Sequence, residues 1–398
     1  MLNAVRQISR EDNLMLNKEF TWFFVIFGRE FRQNKRIAFE TLMFLAMAHF
    51  FGFYNPKQLA DFLGIPHQGF YRAMEERSTY YLREMLVRFM VRQAAEKLRP
   101  IMGKSGATVS RAGVSLSCDN SVIDRLGRLL RCAWSWYSGR CKKVVTGNDL
   151  MGTVMTISGI AFPLHLLLCS RQGRANTNKP DLLISMLTRL TEEFAKEGVD
   201  LTAFPITLDS WFVSEELRQR LRDLGFEKII IAGKGNHTFK IGKVKQKASS
   251  WKKTLRLLTE QWGIDVPSLR TEAVSPTFGL VVLFFFEKSA TRTYYLMDFS
   301  KTPLRGAEIW RIWSQHHIIE CFWKILKSVF GIKAMRPRGN GLHVTLLIKV
   351  IAYILATRLS MRRPFLKMTV TEIMRKIRRE SDLEDILREH FHVPIPSG

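Results

Sequence analysis

The sequence has few of the features expected of an extracellular or membrane-spanning protein. Its 5 cysteines form no CxxC pair and no zinc-ligand spacing, and their odd number argues against a disulfide framework. The longest apolar runs, 343–357 and 279–286, are too short to span a bilayer, and Lys349 interrupts the first. The N-terminal residues carry charges where a signal peptide has an apolar core. We therefore expect a cytoplasmic protein that is not bound to a membrane.

Acidic residues are scarce relative to basic ones. The 398 residues include 61 Lys and Arg but 36 Asp and Glu, which gives a net charge of +25 and a pI near 10.1. Residues 228–256 contain nine Lys or Arg and no acid, and residues 331–380 contain twelve against two acids. Such an excess favours nucleic acid as a partner, with Lys234 of the first stretch as a candidate phosphate contact. A structural or ribosomal protein would also fit the charge.

The first 105 residues are predicted to be helical, and the segment PKQLADFLGIPHQGFYRAME at 56–75 has the pattern of a helix-turn-helix. The positions that this motif requires to be apolar or small are Leu59, Ala60, Leu63, Gly64, Ile65, Phe70 and Ala73. Gln68, Tyr71 and Arg72 would then point toward a DNA groove. Because any tight helical pair has a similar pattern, DNA binding here is a hypothesis.

The middle of the chain has the alternating strands and helices of a mixed α/β region. VSLSCDNS is predicted to be a strand that stops at Asp119, and AFPITLDSWF a short buried strand that ends at Asp209. Ser214 is a suitable N-cap for the helix that follows. Since acidic residues at strand ends converge on one edge of such a sheet, we expect Asp119 and Asp209 to lie close together.

A third acid, Glu320, lies in WSQHHIIECFWKILKSVFG at 313–331, which is predicted to be one amphipathic helix. At 100° per residue, the residues within roughly 40° of Glu320 are Trp313, His316, Lys324 and Lys327. One interpretation is a solvated face on which Glu320 and Lys324 form an i,i+4 ion pair. The other is that Glu320 completes a carboxylate triad with the two strand-end acids.

In their order and spacing, the three acids resemble those of the DDE transposases of bacterial insertion sequences, which have a ribonuclease-H-like fold. One group of that family has its last acid in a Tyr-x2-Arg-x3-Glu-x6-Lys motif, to which Trp313, His316, Glu320 and Lys327 correspond here. Three further segments are also similar to the family: CKKVVTGNDLMGTVMTISGIAFPLHLLL, LDSWFVSEELRQRLRDLGFEKIIIAGKGN and YYLMDFSKTPLRGAEIWRIW. The resemblance covers about residues 110–360.

The resemblance implies an α/β fold class built around a ribonuclease-H-like catalytic core. The expected regions are 1–105, a helical, helix-turn-helix-like DNA-binding domain; 106–239, the first part of the core; 240–295, an inserted and β-rich subdomain; 296–340, the last part of the core with the Glu320 helix; and 341–398, a helical and basic C-terminal region.

The resemblance also implies that Asp119, Asp209 and Glu320 are catalytic and hold two Mg²⁺ ions, for which Mn²⁺ can substitute. The DNA contacts that it implies on the Glu320 helix are Trp313, His316, Lys324 and Lys327. The implied protein is bacterial, cytoplasmic and nucleoid-associated, and it binds transposon terminal repeats and target DNA as a homodimer.

The implied reaction is cleavage at transposon ends followed by joining of those ends to target DNA. Two alternatives stay open. One is a two-metal DNA nuclease without strand transfer. The other is a transposase-derived DNA-binding protein with weakened catalysis, which the replacement of the motif's Arg by His316 favours.

Overall fold

A computed structural model describes most of the chain. The described ranges are 44–75, 79–102, 113–124, 132–138, 141–169, 179–261, 268–289, 292–335, 341–363 and 365–380, with a few positions between 18 and 42. The domain boundary expected near residue 105 and both chain ends lie outside these ranges.

Within the described residues, one mixed sheet contains eleven strands. The strands are β1 Val114–Asp124, β2 Trp134–Ser138, β3 Lys143–Ile157, β4 Ile160–Leu168, β5 Ile206–Leu208, β6 Ile229–Gly233, β7 Thr238–Ile241, β8 Val244–Lys247, β9 Ser268–Ser275, β10 Gly279–Ser289 and β11 Arg292–Asp298. The α-helices are α1 Pro56–Leu63, α2 Gln68–Glu75, α3 Thr79–Met102, α4 Lys179–Lys196, α5 Glu215–Asp223, α6 Ala248–Gln261, α7 Gly306–Ser314, α8 His317–Ser328, α9 Gly341–Leu359 and α10 Val370–Glu380.

The sheet runs in the order β2-β3-β1-β5-β6-β11-β10-β9-β7-β8, and β4 also pairs with β3. β3 is antiparallel to both β1 and β4, whereas β1, β5 and β6 are mutually parallel. The remaining strands, from β11 to β8, extend the sheet in an antiparallel manner. The carboxyl ends of β5 and β6 therefore lie at the same edge of the sheet. The region expected to be β-rich, 240–295, contains β8, β9, β10 and helix α6, and it includes parts of β7 and β11.

Helices pack on this sheet and on one another around a large apolar core. α3 contacts β4 and α4, while α8 lies against β1 and β3. An ion pair reinforces the α3–α4 contact, because the Arg189 Nε lies 2.8 Å from the buried Glu84 carboxylate. The helical N-terminal segment thus shares a core with the sheet.

The predicted helix pair at 56–75 is confirmed as two short helices, α1 and α2. Gly64 ends α1 at a φ of +64°, a left-handed conformation that glycine adopts without strain. Leu59, Ala60, Leu63 and Phe70 are buried as expected. Ile65, however, was expected to anchor the second helix and is 41 % exposed, because it lies in the turn between the helices.

A buried lysine connects three separate parts of the chain. The Lys349 Nζ of α9 lies 2.9 Å from His49 Nε2, 3.0 Å from the Tyr54 carbonyl oxygen and 2.7 Å from the Phe330 carbonyl oxygen. His49 Nδ1 lies 2.6 Å from the Leu45 carbonyl oxygen, so it donates there and leaves Nε2 as an acceptor. The three acceptors match the three N–H groups of an ammonium ion. Burial nevertheless lowers the pKa of Lys349 to about 7.

We expect this lysine to make stability depend on pH. Between the folded pKa of about 7 and the ordinary value of 10.5, the unfolded chain holds a proton that the folded protein lacks, so stability rises with pH. The free energy of unfolding should rise by about 1.4 kcal/mol per pH unit more for the wild type than for Lys349→Met. Urea unfolding from pH 7 to 9.5 measures the difference, and parallel curves for the two proteins would refute this assignment.

Helix α9 is longer than the apolar run 343–357 in the sequence. Its 19 residues are long and apolar enough to cross a membrane, but 83 % of its most apolar window is buried inside the protein. Core helices of soluble proteins pass the same length and composition test.

Candidate active site

The parallel register of β1 and β5 brings two of the predicted acids together. Cys118 is paired with Leu208, so the next residue on each strand is an aspartate, Asp119 on β1 and Asp209 after β5. Both aspartates are half-buried. The expectation that they lie close together is confirmed in this respect, although β1 does not stop at Asp119 and continues to Asp124.

Negative charge is concentrated around Asp119. Burial and the neighbouring Asp209 carboxylate raise the pKa of Asp119 to about 8, against the effect of the Asn120 N–H that its Oδ1 accepts at 2.7 Å. The carboxylates of Glu320 and Asp149 raise this pKa further. The third predicted acid therefore acts electrostatically on the first.

Glu320 is positioned by a short connection between α7 and α8 that is fixed to the sheet. The Ser115 hydroxyl of β1 donates to the Gln315 side-chain oxygen at 2.9 Å. Thr207 Oγ1 of β5 and His316 Nδ1 are hydrogen-bonded at 2.9 Å. These two contacts hold the start of α8 over β1 and β5, and Glu320 lies in the first turn of α8, where its side chain is exposed.

Gly152 allows α8 to approach the sheet closely. It is the antiparallel partner of Asp119 on β3. A Cβ atom at this position would lie 2.7 Å from Cζ2 of Trp323, which is buried and follows Glu320 by three residues. The close packing of α8 on β3 therefore requires glycine here.

The single helix predicted over 313–331 is wrong, because the chain forms two helices that meet at Gln315 and His316. Trp313 and His316 do not share an exposed stripe with Glu320. Both are buried, and their rings stack at 4.5 Å between centroids. Burial, with a smaller effect of His317, lowers the pKa of His316 to about 3. His316 is therefore neutral at pH 7 and positions α8, so the direct DNA contacts expected of it and of Trp313 are not available at this surface.

The other predicted DNA contacts are accessible. Lys324 is exposed and forms no ion pair with Glu320, so the interpretation as a surface i,i+4 pair is wrong. Lys327 is half-buried one turn further along α8. Lys234 is exposed and directly follows β6, at the edge of the sheet that carries Asp209. The side chains of α2 expected to face DNA are likewise accessible, with Gln68 and Arg72 exposed and Tyr71 half-buried.

Among the described residues, no group of three or more His, Cys, Asp or Glu side chains forms a preassembled metal site. The donor set of Asp119, Asp209 and Glu320 nevertheless consists of carboxylate oxygens, the ligands that Mg²⁺ and Mn²⁺ prefer. Their charges already disfavour ionisation of Asp119. A divalent cation would neutralise that charge, so the residues present fit such an ion.

Sequence reasoning missed a buried network beside these acids. Asp149 of β3 is fully buried, and its Oδ2 lies 2.7 Å from Lys179 Nζ. The Asn120 amide donates to both carboxylate oxygens of Asp149, at 2.9 and 3.2 Å. Trp211, which follows Asp209 by two residues and is 53 % exposed, is a further neighbour of the acids that no sequence motif indicated. The polar pair Asn148-Asp149 inside an apolar strand was the available signal in the sequence.

Comparison with known protein families gives a match for the second half of the catalytic region. Residues 164–355 match the family model described as Transposase DDE domain, and this range contains Asp209 and Glu320. A cryo-EM structure described as the piggyBac transposase synaptic complex with hairpin DNA is similar at a TM-score of 0.44 and 13 % sequence identity. That similarity covers 96 % of this chain and 82 % of the other. No curated protein matches the chain. Residues 164–355, just under half of the chain, are therefore similar to the DDE domain of transposases.

Proposed function

We propose that this protein is the DNA transposase of a bacterial insertion sequence, cutting at the transposon ends and joining them to target DNA. The observation that carries this proposal is the convergence of three acids from separate parts of the chain. The β1–β5 register places Asp119 beside Asp209, and the Glu320 charge raises the pKa of Asp119.

The arrangement of the sheet supports a ribonuclease-H-like core. Three antiparallel strands, β4, β3 and β1, continue into the parallel strands β5 and β6. The proposed acids follow from this order: Asp119 lies on the central β1, Asp209 at the end of β5, and Glu320 on a helix that comes after the strands β7 to β11. Residues 240–295 then correspond to an insertion between the second and third acid.

In this proposal the three acids share the task of binding metal. Asp119, Asp209 and Glu320 would hold divalent ions, which would activate the attacking hydroxyl and neutralise the charge that builds on the phosphate. The backbone N–H groups of Asn120 and Ser210 donate to Asp119 and Asp209 at 2.7 and 2.6 Å and fix the orientation of both carboxylates. Lys324 and Lys327 lie on the same helix as Glu320 and bind the flanking phosphates.

Exposed basic groups also lie on other parts of the protein. The β7–β8 hairpin presents Lys240, Lys243, Lys245 and Lys247, all exposed, at one end of the sheet. Together with α2 they would provide the contacts for terminal-repeat and target DNA, and the net charge of +25 fits a long DNA path. A transposition reaction needs two ends, so we propose a homodimer on DNA.

The lysines of α8 should control the electrostatic part of DNA binding. Lys327→Ala should weaken binding to all sequences about equally and flatten the slope of log affinity against log salt by roughly one unit. Lys324→Ala should behave in the same way without lowering the melting temperature, because Lys324 forms no ion pair with Glu320.

Lys301→Ala is the matched control for these lysines. Lys301 is exposed, lies 3.1 Å from Glu227 and follows β11 at the opposite edge of the sheet. Its removal should leave the salt slope unchanged. Equal slopes in all three variants and the wild type would exclude α8 from the DNA path.

The proposed function is tested by incubating the protein with Mg²⁺ and DNA that carries the terminal repeats of its element. Nicked or excised ends followed by joined products are expected, and EDTA should abolish both. Cleaved but never joined products would support the second candidate, a two-metal nuclease. The buried, neutral His316 favours a third outcome, DNA binding with little turnover, because the phosphate contact of the motif's Arg is missing.

A further inference from the structure

Two large aromatic side chains are exposed beside the acids. Trp211 is 53 % exposed and Tyr137 of the edge strand β2 is 47 % exposed. Their ring centroids lie 6.0 Å apart at an interplanar angle of 48°. Trp211 follows Asp209 by two residues, so the pair lies at the catalytic edge of the sheet. Two adjacent aromatic rings that are exposed to solvent are typical of a binding surface.

Two lysines place positive charge on the same tryptophan. The Lys234 Nζ lies 4.9 Å from the Trp211 ring centroid, and the Lys179 Nζ lies 5.5 Å from it. Lys234 is exposed and forms no ion pair with any described carboxylate. Its charge is therefore available to an anionic ligand.

The second lysine, Lys179, is held in place by a buried carboxylate. Lys179 is bound at 2.7 Å by Asp149, whose carboxylate is fully buried and also accepts from Asn120. The buried Asp149 carboxylate thus fixes the Lys179 ammonium group against the aromatic rings, whereas Lys234 has no described carboxylate partner. Because Asn120 follows Asp119, the network joins the aromatic pair to the catalytic strand.

We propose that Trp211, Tyr137 and the two lysines form a binding site for an unpaired nucleobase and its phosphate. A base with an accessible face stacks on the indole ring, and the Lys234 ammonium group binds the adjoining phosphate. A base within a duplex has both faces covered by its neighbours, so the site selects single-stranded DNA. The proposal rests on the proposed function, since it assigns to this site the DNA strand that passes the catalytic acids.

The experiment measures affinity for a fluorescein-labelled oligothymidylate of about 12 nucleotides and for a duplex of equal length, by anisotropy in EDTA. Trp211→Ala should weaken single-strand binding by about tenfold or more, because stacking contributes roughly 1–3 kcal/mol per base. Duplex binding should change by less than about threefold. Trp211→Phe keeps an aromatic face and should restore most of the single-strand affinity.

Trp134→Ala is the matched control, because Trp134 is an exposed tryptophan of the same edge strand, 45 % exposed, without a described cation over its ring. It should bind single strands like the wild type. An oligonucleotide with one 2-aminopurine should lose fluorescence on binding the wild type and less on binding Trp211→Ala.

The proposal would be overturned if Trp211→Ala and Trp134→Ala lost single-strand affinity equally. It would also be overturned if Trp211→Ala lost affinity equally for single strands and for duplex. The proposal would likewise be overturned if a protein ligand covered Trp211 and oligothymidylate did not bind. A failure of the proposed function is distinguishable, since all binding is measured without metal. If Asp119→Asn cleaves like the wild type while Trp211→Ala loses single-strand binding, the catalytic assignment fails and the nucleobase site stands.

Discussion

Replacing Asp119 by asparagine should reduce Mg²⁺-dependent DNA cleavage by at least about a thousandfold, because losing a metal ligand removes several kcal/mol of transition-state stabilisation. The change preserves the shape of the side chain and removes its charge. It also removes the carboxylate most affected by Asp209 and Glu320. Initial rates of strand cleavage, measured at equal DNA occupancy, give the result.

Asp124→Asn is the control for this result. Asp124 lies at the end of the same strand, five residues and about 16 Å further on, and its Oδ2 accepts from the Cys141 thiol at 3.5 Å. Its cleavage rate should stay close to that of the wild type. DNA affinity of Asp119→Asn in EDTA should also stay within a few-fold. Near-normal cleavage by Asp119→Asn would refute its role.

Gly152→Ala should uncouple Glu320 from the two aspartates. The added methyl group would meet the Trp323 ring at 2.7 Å, so α8 must move away from the sheet. Overpacking of this kind destabilises a protein by about 1–3 kcal/mol. A displacement of about 1 Å at a catalytic group can lower the rate by roughly a hundredfold. We expect a modest fall in melting temperature and a much larger loss of cleavage.

A second substitution on α8 tests this interpretation. Trp323→Phe removes the atoms that the new methyl group would meet, and it also removes an indole N–H that has no hydrogen-bond partner. The double variant Gly152→Ala with Trp323→Phe should therefore recover cleavage relative to Gly152→Ala alone. A double variant that is slower than either single variant would show that the clash does not explain the loss.

Asp119 and Asp209 could be located from the sequence because their signal is local, although only Asp209 lies at the end of its strand. A short apolar run followed by an acid predicts a buried strand and an exposed edge, and the parallel register of β1 and β5 then brings Asp119 and Asp209 together. Ser214 was predictable in the same way, and its hydroxyl does accept from the Leu217 N–H at the start of α5.

The features that the sequence did not reveal depend on tertiary contacts. Helical periodicity continues through 313–331, but Gln315 and His316 hydrogen-bond to β1 and β5 and the helix is interrupted there. His316 appeared polar and surface-exposed, yet its ring stacks on Trp313 in the interior. The Asp149–Lys179 pair joins residues 30 positions apart in the chain, so the polar pair Asn148-Asp149 could indicate the buried acid but not its partner.

The central claim is that Asp119, Asp209 and Glu320 together hold divalent metal ions on DNA. The most direct measurement is anomalous diffraction from crystals of the DNA complex soaked in Mn²⁺. The account predicts anomalous peaks among these three carboxylates, with Asp119 and Asp209 both in contact with manganese, and their loss in Asp119→Asn. Manganese bound elsewhere in crystals that still cleave their DNA would contradict it.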